Sequence, residues 1–142
     1  MTIKETAGKI LLYFYQLQRT VPASMQHRQI GFLDKKDGGV SLTSDKKWLT
    51  KDLQDINPSS SDIYNGFLFL LNKGFIKSKE RSNAGAKVYM GIELADTGID
   101  IIEGVEYGSA GKEAFMVAFN IKVHESMDTD ALIKDNLKTL LS

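Results

Sequence analysis

Residues 59–79 read SSSDIYNGFLFLLNKGFIKSK, and this stretch constrains the fold more than any other. Each of its three serines could supply the side-chain oxygen that accepts from a free backbone N–H at a helix start. Ile63, Phe67, Leu70 and Leu71 then recur at helical spacing, and Gly74 suits the left-handed position that ends many helices. Phe75 and Ile76 follow directly, with Lys77 and Lys79 spaced as on an exposed strand. A helix from Ser59, Ser60 or Ser61 to Asn72 or Lys73 must therefore pass through one glycine into a strand. The run FLFLL at 67–71 is more apolar than one helix face requires. A further element or a second subunit has to cover Leu68 or Phe69.

The flanking segments supply neighbours for this helix. Thr2 and Glu5 form a capping signal, and Ile3, Ala7, Ile10, Leu11, Phe14 and Leu17 give a first amphipathic helix. Residues 19–42 are the least determined. DKKDGG between IGFL and VSL signals a β-hairpin, while Pro22 could instead open a short helix. Thr43 or Ser44 can cap a second helix that places Trp48, Leu49, Leu53 and Ile56 on one face and ends at Asn57-Pro58. FIKSKER and KVYMGIEL read as two strands joined at SNAGA, with Val88, Met90 and Ile92 sharing one side. ADTGIDIIEGVE is a short helix with Asp96 or Thr97 near its cap.

In the last third, YGSAG reads as a flexible joint. EAFMVAFNIKV alternates, with Phe115, Val117, Phe119, Ile121 and Val123 on one side, which predicts a strand. SMDTDALIKDNLKTLL is an amphipathic helix with Leu132, Ile133, Leu137, Leu140 and Leu141 along one side.

Composition narrows the functional classes. The chain lacks cysteine, so disulfides and thiolate zinc sites are excluded and a reducing compartment is expected. No run approaches the ~20 apolar residues of a membrane span, and the first residues carry no secretory pattern. A cytoplasmic protein without membrane association follows as the expectation. His27 and His124 stand apart from any carboxylate at ligand spacing, so neither a metal site nor another cofactor is expected. GSAGK at 108–112 lacks the leading glycine of a phosphate loop, and Glu113 stands where a magnesium-binding hydroxyl belongs. Nothing suggests catalytic residues or an enzyme. Charge is balanced overall, 18 basic against 18 acidic residues, yet residues 46–87 carry eight basic and four acidic ones. Residues 88–142 carry four and ten, so a polyanion-binding face belongs in the middle of the chain.

The order helix, helix, helix and two-stranded wing over residues 3–94 resembles the winged-helix domain of bacterial regulators. The resemblance rests on IYNGFLFLLNKGFI and on IELADTGIDIIE, which is similar to the segment after the wing in several such families, with Ala95 where threonine is usual. The pattern resembles that of the YjcQ-like group of short winged-helix proteins. The resemblance implies an α+β winged helix-turn-helix at 1–107, followed by a C-terminal strand–helix extension at 108–142. It further implies that Ser60, Ser61, Tyr64 and Asn65 face bases in double-stranded DNA. Lys77, Lys79, Arg81 and Lys87 would then touch phosphate. A transcriptional regulator is the expected function, with the extension serving either as the seam of a homodimer or as a cover for the core. The alternative is a protein-interaction module on the same fold. Asp62 at the helix start, and the lack of any Arg or Lys in that helix before Lys73, favour that alternative.

Overall fold

The computed structural model describes residues 1–20 and 27–141, with side chains described through Leu137. The expectations for Pro22 and for the side chains of Leu140 and Leu141 fall outside the described residues. The chain folds as mixed α+β: α1 (Ile3–Thr20), β1 (Gln29–Asp34), β2 (Val40–Ser44), α2 (Lys47–Ile56), α3 (Ser60–Asn72), β3 (Ile76–Asn83), β4 (Ala86–Leu94), α4 (Asp96–Glu103), a 3₁₀ turn (Gly104–Tyr107), α5 (Ser109–Phe119) and α6 (Thr129–Leu141). The four strands form one antiparallel sheet in the order β2-β1-β4-β3. Among the described residues, no helix is long and apolar enough to cross a membrane.

Helix α1 is the centre of the molecule. The Thr2 hydroxyl accepts from Glu5 N–H at 3.1 Å and donates to the Glu5 carboxylate, so Thr2 caps the first turn. Ile10, Leu11, Leu12 and Phe14 are fully buried, because α1 packs on α3 along one side and meets α2, α4, α5 and α6 around the rest. Helix α3 lies between α1 and the sheet. Phe67 is within 6.3 Å of the Phe14 ring on one side and within 4.8 Å of the Tyr89 ring on the other.

The DKKDGG turn does form a hairpin. It pairs β1 with β2 and, through β1, joins β4, so β3 and β4, expected as a two-stranded wing, belong to a four-stranded sheet. Helix α2 departs from expectation at its start: Thr43 and Ser44 end β2, and Lys46 is the N-cap, with no side-chain cap bond. Trp48 is 42% exposed, leaving Leu49, Leu53 and Ile56 as the buried face. In β4, Tyr89 and Ile92 point inward. Gly91 takes φ +61 and the β3–β4 register shifts between Lys77 and Lys79, so the strand changes phase there. Val88 and Met90 consequently face away from Ile92.

The expected strand at 114–123 is a helix. Phe115 and Phe119 lie four residues apart, on one side of α5, and both are fully buried, while Val117 is 70% exposed. Asn120 takes the left-handed conformation that ends α5, and Ile121 and Val123 are then buried from a non-helical segment. Gly108, at φ +101, is the N-cap of this helix, so GSAG opens α5 where a joint was expected. The extension is helix–helix. Phe119 covers the FLFLL run from α5, at 6.4 Å from the Phe69 ring, and the apolar side of α6 buries Leu132, Ile133 and Leu137 within the same chain. Helix α6 packs on α1 and α2.

Candidate nucleic-acid interface

Three elements meet at one end of the sheet. Strand β1 ends beside the start of β4, with Leu33 opposite Ala86 and the Asp34 N–H donating to the Gly85 carbonyl at 3.0 Å. Both hairpins therefore turn at this end, one at residues 35–39 and the other at Ala84-Gly85. The second turn needs positive φ at both residues, +37 at Ala84 and +84 at Gly85, which is the two-residue turn whose twist matches a hairpin. The first turns of α3 lie beside both tips. Ser59, Ser60 and Ser61 border a polar cleft with Lys35 and Gly39 of the β1–β2 turn.

Ser59 is the serine that caps α3, accepting from Asp62 N–H at 3.2 Å. Asn57 fixes the same corner. Its side-chain amide donates to Thr6 Oγ1 at 3.1 Å and to Asp62 Oδ2 at 3.2 Å, and its Oδ1 accepts from Ser59 N–H at 2.9 Å. Asp62 is thus held in the α1–α3 junction and sits at the positive end of the helix. Of the predicted base-facing residues, Asn65 is exposed, and Ser60 and Ser61 are half-buried beside the hairpin turn. Tyr64 turns toward the sheet, with its ring 4.7 Å from that of Phe32. Residues 61, 65, 68 and 72 share the most open side of α3, and Ser61, Asn65, Leu68 and Asn72 place no charge there.

The predicted phosphate contacts divide between two faces. Lys77, Lys79 and Arg81 alternate along edge strand β3, opposite Glu93, Met90 and Val88. Residues paired across an antiparallel ladder share a face, so these three cations line the side of the sheet away from α3. All three are exposed. Lys87 pairs with Phe32 and Ser82 and so lies on the α3 side. A hydrogen bond with Tyr64, aided by attraction to Tyr64 and Glu80, raises the Lys87 pKa above the usual lysine value. The Glu80 carboxylate is 3.9 Å from Lys87 Nζ and accepts from the Tyr89 hydroxyl at 3.4 Å. Burial, together with Tyr64 and Glu80, raises the Tyr89 pKa and keeps its phenol neutral.

Sequence reasoning missed the contribution of the first hairpin. Phe32, Asp34 and Lys35 reach the end of α3 only because β1 pairs with β4, a long-range pairing that no local spacing encodes. The alternation of Ile30 and Phe32 before DKKDGG was the available signal. Comparison with family models, with curated proteins and with solved structures gave no match to this chain.

Proposed function

We propose that this chain is a winged-helix-like protein that binds double-stranded DNA and acts in transcriptional regulation. The convergence of the start of α3 with both hairpin tips at one end of the sheet carries the reading, because it brings a helix face together with Lys35 of the first turn and Lys87 beyond the second. In this arrangement Ser61 and Asn65 supply donors and acceptors for base edges in the major groove. Lys35 and Lys87, beside them, contact the nearest phosphates. The outward row of Lys77, Lys79 and Arg81 adds charge without sequence information. Selection from a pool of randomised duplexes tests the reading: a recovered consensus that Asn65→Ala relaxes supports it, and recovery of no sequence above the input sinks the base-reading role.

The uncharged stripe Ser61, Asn65, Leu68 and Asn72 favours a second reading, a protein-interaction module on the same fold. The two separate on a heparin column at low salt. A DNA-binding protein is retained and elutes as salt rises, whereas an interaction module without phosphate contacts passes through.

A further inference from the structure

A cleft of about 240 Å³ opens between the two hairpin tips and α3, apart from the polar hollow at the helix start. Phe32 and Tyr64 form its aromatic wall, and Asp34, Ser82, Asn83 and Lys87 its polar rim. Phe32 is 3% exposed and backs the half-buried Tyr64 ring, so the aromatic surface open to the cleft belongs to Tyr64. The Asp34 carboxylate lies against the wing turn, 3.9 Å from where a Cβ on Gly85 would stand. The volume is below the roughly 300–1,000 Å³ of sites for drug-sized ligands.

We infer that this cleft receives a single unstacked nucleobase that carries an exocyclic amine, cytosine in preference to thymine, an inference that rests on the DNA-binding reading above. An aromatic face, a carboxylate and an ammonium in one small recess match the three parts of a splayed-out nucleotide. Tyr64 stacks on the base, which is how proteins hold unpaired bases. Asp34, which only accepts hydrogen bonds when ionised, takes the exocyclic amine of cytosine. Lys87 meets the adjoining phosphate. The protein would then favour DNA carrying a bulged or unpaired residue over a perfect duplex.

The test compares fluorescence anisotropy for two labelled duplexes, identical except that one carries a single extrahelical cytosine. The full chain should bind the bulged duplex more tightly by roughly five- to a hundredfold, the range that one base–aromatic stack supplies. Tyr64→Ala should erase that advantage. Asp34→Asn, a change at an exposed site that leaves the ring contact alone, should erase the preference for a bulged cytosine over a bulged thymine, and it serves as the test if Tyr64→Ala does not fold. Equal binding of bulged and perfect duplexes by the wild-type chain overturns the inference and leaves the DNA-binding reading standing. Binding of neither duplex overturns both.

Discussion

The Phe119 ring stands 5.3 Å from the Phe75 ring, centroid to centroid, where α5 closes over the junction between α3 and β3. Phe115, 5.0 Å away on the preceding turn, backs it. This contact makes the end of the chain part of the core. Phe119→Ala should cost about 3–5 kcal/mol, the usual range for emptying a buried aromatic site. Val117→Ala should stay within about 0.5 kcal/mol, since that side chain is 70% exposed. A strand would bury Phe115, Val117 and Phe119 alike. Urea denaturation of both variants separates the two arrangements, and comparable losses would contradict the helix.

That pair shows where the sequence was legible. The elements around SSSDIYNGFLFLLNKGFIKSK carry their own start and stop signals, and they fold as read: Ser59 caps α3, and Gly74 sits at φ +74 after it. At 115–123 the apolar residues fit period two, but two segments share that pattern. Phe115 and Phe119 satisfy a helix, and Ile121 and Val123 satisfy the extended chain beyond Asn120. Short apolar runs are ambiguous between helix and strand in this way. Gly91 hid a second reversal, because a bulge changes which side of β4 is buried without changing composition. The candidate interface was half legible. Local spacing marked Asn65 and the β3 cations as exposed, but the approach of Phe32 and Asp34 to Tyr64 depends on pairing between residues more than 50 positions apart.

Two asparagines near α3 should behave oppositely. Asn57 is 6% exposed and joins Thr6, Asp62 and Ser59, so Asn57→Ala should cost about 1–3 kcal/mol by leaving those groups short of partners. Asn65 is exposed, and Asn65→Ala should leave stability within about 0.5 kcal/mol. Ser59→Ala should fall between them at about 1 kcal/mol, as a lost cap. Thermal melts of the three single variants check the order, and a loss at Asn65 as large as that at Asn57 would contradict it.

Tyr15 gives the fold an alkaline limit. Burial, and then the hydrogen bond from its hydroxyl to Glu103 at 2.6 Å, push its pKa up from 10.0 to about 12. The folded state therefore favours the neutral phenol. This contribution is fully present below pH 10, where the phenol is neutral in the unfolded chain too, and it is lost as pH rises through about 12. Tyr15→Phe should be less stable than wild type at pH 9, and the gap should shrink steadily toward pH 12. Lysine titration affects both chains equally and cancels in the comparison. Urea midpoints at pH 9, 10, 11 and 12 measure the gap, and a constant difference would contradict the account.

The most direct test of the DNA-binding claim is the salt dependence of affinity for a labelled duplex, measured for the wild-type chain and for Lys77→Ala/Lys79→Ala/Arg81→Ala. These three side chains are exposed on an edge strand, so the fold should survive their removal. Each phosphate contact adds about 0.9 to the slope of log affinity against log salt. The wild type should bind and weaken steeply as salt rises. The triple variant should bind more weakly on every sequence, with a slope shallower by up to about 2.7 if each cation meets one phosphate. A wild-type chain that binds no duplex at low salt, or one whose affinity is indifferent to salt, would contradict the central claim.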